Sequence, residues 1–245
     1  MIKEMGNSEF LAGKIVLVTG GTRGIGRAIA ERLLASGATV GICGRKQSEV
    51  DAVVAEMSHQ YGGKAAGKAA DVSKHEDVEA LFRFLDERFG GLDVLVNNAG
   101  MGMFRPVRAL TLEEWRVTLD TNLSGAFYCS REALFRFGTR KGGHIVNISS
   151  LAGKHAFAGG AAYNASKFGL NGLTEAMMQE LRTEDVRVSY VMPGSVATGF
   201  SGAEKDARDW RIWPEDVAEV VEMVLSLPPR SLVSSVEIRP SKPRK

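Results

Sequence analysis

The 245-residue sequence predicts a single α/β domain that is doubly wound around a mostly parallel, seven-stranded sheet, with helices on both faces. Short β-branched runs alternate with longer stretches of helical period, which is typical of parallel strands joined by crossover helices. No repeat, low-complexity block or Pro/Ser-rich linker divides the chain. With 44% hydrophobic residues, a chain of this length can bury a substantial core.

Strands and helices are predicted to alternate along the chain. Residues 14–19 form the first β-branched apolar run. A helix follows it, because Ile25, Ile29 and Leu33 recur every fourth residue. The other strands are predicted at residues 39–43, 64–70, 92–96, 144–148, 187–191 and 233–238. The other helices are predicted at residues 46–61, 74–89, 111–137, 163–182 and 214–226.

Charge balance and cysteine usage narrow the class of protein. The 31 basic and 29 acidic residues give a formal net charge of +2, which does not favour a nucleic-acid or other general polyanion binder. Cys43 and Cys129 lie far apart and outside any metal or redox pattern, and the four histidines show no ligand spacing. We therefore expect no metal and a reduced, cytoplasmic protein.

The two ends are expected to flank one domain that spans residues 1–245. Residues 1–12 are interpreted as a leader segment without the apolar run of a signal peptide, and no later stretch is apolar enough to span a bilayer. Residues 239–245 are interpreted as a basic tail. A solvated, disordered tail is favoured over a tail that binds nucleic acid or an acidic carrier protein.

A glycine-rich segment follows the first predicted strand directly. Gly20, Gly24 and Gly26 lie where the strand turns into the helix, so the backbone can approach a pyrophosphate closely. We expect Gly20 to permit a tight turn, Gly24 to remove side-chain obstruction and Gly26 to let the helix pack on the strand. The helix N-terminus would supply N–H donors for the anion. The segment therefore predicts a dinucleotide site.

The end of the second predicted strand indicates which dinucleotide binds. In dinucleotide-binding folds an acidic residue here accepts from the ribose 2′-hydroxyl, whereas a cation accommodates a 2′-phosphate. The sequence reads Cys-Gly-Arg-Lys at residues 43–46, so no carboxylate is expected to repel a phosphate, and Arg45 suits one. Arg23 in the glycine segment can bind the same group. Two ordinary solvated arginines are the alternative, and NADP(H) is the prediction.

Further motifs follow in order along nearly the whole chain. They are T-G-x-x-x-G-x-G at residues 19–26, Asp71-Val72, N-N-A-G at residues 97–100, Asn122, Ser150, Tyr163-x-x-x-Lys167 and Pro193-Gly194. Together they resemble the short-chain dehydrogenase/reductase family, in particular NADP(H)-preferring enzymes like the reductases of 3-oxoacyl carrier proteins. The resemblance implies a Rossmann domain that transfers hydride between NADP(H) and a carbonyl or secondary alcohol.

The resemblance also implies a set of cofactor contacts. Asp71 would bind the adenine amine, and Val72 would offer backbone contacts. Asn98 and Ala99 would line the adenosine ribose, and Asn97 would mainly hold the central sheet. The implied cofactor-binding set further includes Thr22, Ile25, Gly100, Tyr163, Lys167, Pro193, Gly194, Val196 and Thr198.

Tyr163 and Lys167 have a physical reason for their spacing. Carbonyl reduction needs a proton donor, because alkoxide charge would otherwise develop on the oxygen. The phenol of Tyr163 suits that role, although its ordinary pKa is about 10. Lys167 lies one helical turn onward, on the same face. At ~4 Å and an effective dielectric of ~20 the two charges attract by roughly 4 kcal/mol at most, or about three pKa units, so Lys167 is expected to favour a tyrosinate.

The resemblance implies further roles in this catalytic group. Lys167 would also bind the nicotinamide ribose hydroxyls, Ser150 would orient the substrate oxygen, and Asn122 would hold a water that links Lys167 to solvent. Taken alone, the four residues are equally well explained as a packed aromatic, a solvated lysine, a turn serine and a helix-surface asparagine. Their spacing behind a nucleotide-binding segment favours the catalytic interpretation.

Three segments are expected to form the substrate pocket. They are residues 101–104, 151–157 and 199–212, of which the last is usually a helical flap in the family. Apolar side chains in them predict an apolar pocket, with core packing as the competing explanation. These side chains are Met101, Met103, Phe104, Phe157 and Phe200. The expected substrate is a ketone or aldehyde, with a 3-oxoacyl carrier or a small hydrophobic ketone as candidates.

The sequence leaves one alternative function and two oligomeric states possible. A catalytically silent NADP(H) sensor is the alternative to an enzyme, and the intact Tyr163, Lys167 and Ser150 argue against it. The resemblance implies a homodimer through the helices that hold Asn122 and Tyr163, or a homotetramer. The basic tail replaces the glycine-rich end that many family members use in tetramer contacts.

Overall fold

The computed structural model describes residues 9–140, 142–198 and 210–242. Residues 1–8 of the predicted leader, 199–209 of the predicted flap and 243–245 of the predicted tail lie outside these ranges. The described residues form one seven-stranded sheet with helices packed on both faces, which confirms the predicted fold class.

The strands of the sheet all run parallel. They are β1 (Ile15–Val18), β2 (Thr39–Gly44), β3 (Ala65–Ala69), β4 (Val94–Asn97), β5 (Gly143–Ile148), β6 (Val186–Pro193) and β7 (Ser235–Ile238). Their order is β3-β2-β1-β4-β5-β6-β7, and every pairing is parallel rather than only most of them. The strand order reverses between β1 and β4, and such a switch point leaves a crevice at the carboxyl ends of the strands.

Two apolar clusters attach the helices to the sheet. The helices are α1 (Gly24–Ala35), α2 (Gln47–Gln60), α3 (His75–Phe89), α4 (Leu112–Leu119), α5 (Gly125–Arg140), α6 (Ala161–Glu180) and α7 (Pro214–Ser226). On one face α1, α2 and α7 pack through a cluster that includes Ile29 and Val221. On the other face α3, α5 and α6 pack through Phe82, Phe137 and their neighbours. In the described ranges no helix combines the length and apolarity that a membrane span needs.

The helix predicted over residues 111–137 is interrupted. Thr111 begins α4 with a capping box, in which its hydroxyl accepts from the Glu114 N–H and the Glu114 carboxylate accepts from the Thr111 N–H. A π turn at Asp120–Ser124 then separates α4 from α5. The predicted helical segment is therefore confirmed, with a change from α to π hydrogen bonding at Asn122, which lies inside the turn. π turns are rare and frequently occur at functional sites.

Candidate active site

The loop between β1 and α1 is built for close approach of an anion. Gly20 has a φ of +65°, in the left-handed region that favours glycine. A Cβ on Gly26 would lie 2.3 Å from both the Gly20 carbonyl oxygen and Asn98 Nδ2, so no side chain fits there. The first turn of α1 holds no acidic residue, and Arg23 at its N-cap makes no side-chain cap. The N–H groups at this helix end therefore suit a phosphate ligand, and the loop fits a dinucleotide.

Thr19 ties this loop to the segment after β4. Its hydroxyl accepts from the backbone N–H groups of Asn98 and Ala99, both at 3.0 Å. In return Asn98 Nδ2 donates to the carbonyls of Thr19 at 2.9 Å and Gly20 at 3.2 Å. The amide nitrogen of Asn98 thus fixes the glycine loop, and the predicted ribose contact of Asn98 stays a prediction.

The end of β2 lies against the same loop. A Cβ on Gly44 would be 2.8 Å from Thr22 Cγ2. Arg45 follows directly and, like Arg23, is exposed. The predicted pair of cations therefore borders one corner of the loop, which we call the arginine corner (Arg23, Arg45).

A carboxylate also faces the arginine corner. Glu49, in the first turn of α2, pairs with Lys46 at 2.9 Å between Oε1 and Nζ. Lys46 lowers the pKa of Glu49, and the nearby charges of Arg23 and Arg45 add to that lowering. Residues 43–46 hold no carboxylate, as the sequence shows, but the first turn of α2 brings Glu49 near the cations at the end of β2.

Asp71 and Val72 lie after β3. The Asp71 carboxylate accepts from the Ser73 N–H at 3.1 Å and from the Ser73 hydroxyl at 2.7 Å, which fixes it in a tight turn. Val72 is buried, and a Cβ on Gly125 would lie 2.9 Å from its carbonyl oxygen. The turn therefore holds Asp71 in a defined orientation at the carboxyl end of the sheet, beside the start of α5.

Three of the predicted catalytic side chains meet between β5 and α6. The Tyr163 and Ser150 hydroxyls share a hydrogen bond, and Ser150 Oγ also accepts from the Ala152 N–H at 3.1 Å. Lys167 is buried; its Nζ donates to the Ile148 carbonyl at 2.9 Å and lies 5.9 Å from the Tyr163 ring centroid. The structure thus brings Tyr163, Lys167 and Ser150 together, as the spacing predicts.

The charge states of this group differ from the sequence expectation. Burial raises the pKa of Tyr163, and the hydrogen bond from Ser150 offsets that only in part. Burial also lowers the pKa of Lys167 to about 8. The expected lowering of the tyrosine pKa by lysine was wrong for this arrangement, because desolvation dominates at both groups. Tyr163 is held here as a protonated phenol.

Asn122 lies in the π turn as a clamp rather than on a helix surface. Its Oδ1 accepts from the Met101 N–H at 2.8 Å, and its Nδ2 donates to the Met101 carbonyl at 2.9 Å. The same Nδ2 donates to Ser166 Oγ at 3.0 Å, and that hydroxyl donates to the Tyr163 carbonyl at 2.8 Å. The helix-surface alternative is excluded, since Asn122 is buried. Its side-chain amide makes these three hydrogen bonds, and the predicted water link to Lys167 stays a prediction.

Aromatic side chains border the catalytic tyrosine. The Phe104 ring lies edge-on to the Tyr163 ring with centroids 5.5 Å apart, and the Phe157 ring is 5.9 Å from the Phe104 ring. Met101 and Met103 are half-buried beside them in sequence, whereas the predicted pocket residue Phe200 lies outside the described part of the chain. Part of the predicted apolar pocket therefore exists as a row of rings.

The segment after β6 closes the other side of the site. Gly194 donates its N–H to the Ile238 carbonyl at 2.8 Å, and Val196 bridges to Ile212. Thr198 lies opposite the glycine loop, since a Cβ on Gly24 would be 3.4 Å from Thr198 Cγ2. This places the segment from Pro193 to Thr198 beside the N-terminus of α1.

Comparison with known proteins assigns the family. A family model described as short chain dehydrogenase matches residues 14–209. The chain belongs to this family. It is 42% identical over 206 residues to a 3β-hydroxysteroid dehydrogenase of Mediterraneibacter gnavus, across 84% of this chain and 73% of the relative. It is 35% identical over 226 residues to a 3-oxoacyl-(acyl-carrier-protein) reductase of Aquifex aeolicus, across 88% and 91% of the two chains.

A solved structure of a short-chain oxidoreductase is also similar to this chain. A metagenomic short-chain oxidoreductase in complex with NADP superposes on this short-chain dehydrogenase with a TM-score of 0.84 and 38% identity. The match covers 96% of this chain and 100% of that one. The resemblance inferred from the ordered motifs is thereby confirmed.

Three side chains of this short-chain dehydrogenase take part in the site without having been singled out from sequence. They are Thr19, Glu49 and Ser166. Thr19 is the first residue of the glycine motif. Its hydroxyl at the end of the first strand is the sequence signal that could have identified it. Ser166 precedes Lys167 on α6, and its bond to Asn122 depends on the π turn, which no periodicity indicates.

One cluster outside the site has metal-ligand chemistry. Ligand atoms of His75, Glu79 and Glu132 lie within 4.8 Å of one another, although the sequence showed no ligand spacing. Glu132 pairs with Arg136 at 2.8 Å, and Glu79 lies 3.9 Å from Arg83. Because arginines already balance these carboxylates, the cluster is an ion-pair network between α3 and α5 in the short-chain dehydrogenase.

Proposed function

We propose that this short-chain dehydrogenase is an NADP(H)-dependent reductase of a ketone or aldehyde, with Tyr163 as the acid that protonates the carbonyl oxygen. The observation that carries the proposal is the hydrogen bond between Tyr163 and Ser150 beside buried Lys167, on the strand edge that also holds the glycine loop. A proton donor and a dinucleotide cradle at one edge are what carbonyl reduction requires.

The cofactor is held by the loops at the carboxyl edge. The N-terminus of α1 would bind the pyrophosphate, and the arginine corner would bind the 2′-phosphate. The solved relative is a complex with NADP, in agreement with these cations. When bound, the reduced nicotinamide supplies a hydride to the carbonyl carbon.

Side chains of the protein then carry out the proton transfer. Ser150 orients the substrate oxygen toward the Tyr163 hydroxyl. Tyr163 gives its proton to that oxygen as the carbon gains two electrons, which leaves an alcohol and a tyrosinate. The charge of Lys167 stabilises that tyrosinate most strongly in the buried site, where Coulomb interactions are least screened. A proton from solvent restores Tyr163.

Asn122 positions the backbone on two sides of the active site. Its amide holds the Met101 backbone and, through Ser166, the backbone of Tyr163. We propose that this clamp fixes the distance between the substrate wall and the acid. The remaining predicted cofactor contacts, from Asp71 to Thr198, retain their proposed roles, since their loops border the same cradle.

The two named relatives are a 3β-hydroxysteroid dehydrogenase and a 3-oxoacyl-(acyl-carrier-protein) reductase. One name describes a hydroxyl group and the other an oxo group, in each case at carbon 3 of a chain or ring. Both therefore support a ketone and its secondary alcohol as the substrate pair here. A cytoplasmic location stays a prediction.

We also propose a homo-oligomer. Phe127 and Phe135 on α5 and Phe168 on α6 are large apolar side chains that the single chain leaves exposed. Exposed apolar groups on neighbouring helices favour contact with a second copy. Light scattering coupled to size exclusion would report the mass, and a monomer at micromolar concentration would contradict this part.

The experiment that tests the function is a carbonyl panel followed at the NADPH absorbance band, with NADH in parallel. Turnover of at least one ketone or aldehyde with NADPH, and slower turnover with NADH, is expected. Tight NADPH binding without turnover on the whole panel would instead favour a silent sensor. A preference for NADH would contradict the role of the arginine corner.

A further inference from the structure

We infer that the substrate carries a planar apolar ring directly beside its carbonyl group, and that Phe104 and Phe157 select it. This inference rests on the proposed function and names the substrate class of the same site. It assigns the two phenylalanines as specificity-determining residues rather than as core packing.

The rings form a row that leads from the surface to the acid. Phe104 and Phe157 are each 46% exposed, whereas Tyr163 is 9% exposed. Phe104 stands edge-on to Tyr163 at an interplanar angle of 74° and is tilted by 47° from Phe157. A substrate whose oxygen reaches Tyr163 must therefore lay its neighbouring group along these rings. Aromatic rings prefer edge-on and offset contacts with other rings.

Hydrogen bonds and packing within the protein hold this row of rings in place. Asn122 clamps the Met101 backbone at one end of the Phe104 segment. At the other end Arg105 donates to Glu114 at 2.6 Å and bridges to Gly160. A Cβ on Gly160 would lie 2.6 Å from the Phe157 ring, so that ring packs on the glycine. A wall held at both ends is preorganised for a rigid ligand.

The charges next to the rings argue against an anionic tail. Arg105 is paired with Glu114 at 2.6 Å, and Lys154 is paired with Glu237 at 2.5 Å. A carboxylate or phosphate on the substrate would have to compete with Glu114 and Glu237 for these cations. A flexible acyl chain would also lose more conformational freedom on this wall than a planar ring does.

The test compares diacetyl with its phenyl analogue, in which a phenyl ring replaces one methyl group and stands directly beside one of the two carbonyls. We expect the wild-type protein to prefer the phenyl analogue in kcat/KM by about tenfold or more. The variants Phe104→Leu and Phe157→Leu should each reduce that preference several-fold, measured as the ratio of the two kcat/KM values. Phe135→Leu, on α5, is the matched control and should keep the full preference.

The outcomes separate the two proposals. Loss of the phenyl preference in Phe104→Leu or Phe157→Leu, but not in Phe135→Leu, supports the inference. Reduction of diacetyl without any phenyl preference, or a preference that survives both substitutions, overturns the inference and leaves the proposed function standing. No turnover of either diketone overturns the inference, and no turnover on the whole carbonyl panel contradicts the proposed function as well. Turnover of diacetyl also shows that each variant is folded.

Discussion

At the scale of single residues, Glu49 sets the charge of the arginine corner. Its carboxylate pairs with Lys46 and lies in the field of Arg23 and Arg45, where it competes with a phosphate for the same cations. We predict that Glu49→Gln tightens NADP⁺ binding several-fold at low salt and changes NAD⁺ binding much less. Calorimetry at two salt concentrations measures both affinities.

Asp51→Asn is the matched control for that prediction, because it removes one negative charge from the same helix at a side chain that accepts from Gln47. It should leave the ratio of the two affinities unchanged. An equal gain for NAD⁺ in Glu49→Gln, or the same gain in Asp51→Asn, would show that Glu49 acts only through the overall charge.

Lys167 gives a second prediction at this scale. Its pKa is lowered to about 8 by burial, whereas that of Tyr163 is raised, so lysine is the first of the two to lose its proton as pH rises. We expect kcat/KM for NADPH at saturating carbonyl to be flat below that pH and to fall above it, since this ratio reports ionisations of the free enzyme.

Arginine stays charged at every accessible pH. Lys167→Arg should therefore lose activity overall and lack the fall near pH 8. A wild-type profile that stays level to about pH 10, the ordinary range of a phenol, would refute the role given to lysine.

At the scale of elements, the glycine loop depends on the absence of a side chain at residue 26. A methyl group there would lie 2.3 Å from the Gly20 carbonyl oxygen. We predict that Gly26→Ala shifts the loop, weakens NADPH binding by about tenfold or more and costs about 1–3 kcal/mol of stability. Fluorescence titration and urea denaturation measure the two effects.

The matched substitution is Gly138→Ala on α5, where an added Cβ meets nothing within 4 Å. It should leave NADPH affinity unchanged and raise stability by about 0.5–1 kcal/mol. Tight NADPH binding by Gly26→Ala would contradict the packing argument.

The sequence predicted strands and most helices well, because each element carries its own apolar period. It did not predict the π turn, since one extra residue hardly disturbs the period of residues 111–137. The clamp from Asn122 to Met101 depends on that turn and was missed with it. Glu49 was missed for a related reason, because only the fold reveals which cations surround its carboxylate. The meeting of Tyr163 with Ser150 was predictable from their spacing, with Ser150 just after β5 and Tyr163 in the first turn of α6.

At the scale of the whole molecule, His144 couples stability to pH. It is buried on β5, its Nε2 lies 2.9 Å from Ser189 Oγ, and burial, aided by the charge of Arg187, lowers its pKa to about 3. The unfolded chain takes up a proton near the ordinary pKa of about 6.5, whereas the folded protein does not. The free energy of unfolding should therefore fall as pH drops through this window, by about 2 kcal/mol from pH 7 to pH 5.

Urea denaturation at several pH values measures this slope. His144→Gln should remove most of it, and His155→Gln, which changes an exposed histidine, should not. A slope that persists in His144→Gln would assign acid sensitivity to other groups.

The whole fold serves to bring four strand ends together, so that the glycine loop, the Asn98 segment, Ser150 and the Thr198 segment share one edge. We propose that this edge reduces a carbonyl with Tyr163 as its acid. The most direct measurement is single-turnover reduction of a carbonyl by bound NADPH in wild type and in Tyr163→Phe, with NADPH affinity measured on both. The variant should react about a hundred- to ten-thousandfold more slowly at unchanged NADPH affinity, because it lacks the acidic hydroxyl. An unchanged rate in Tyr163→Phe would contradict this proposal.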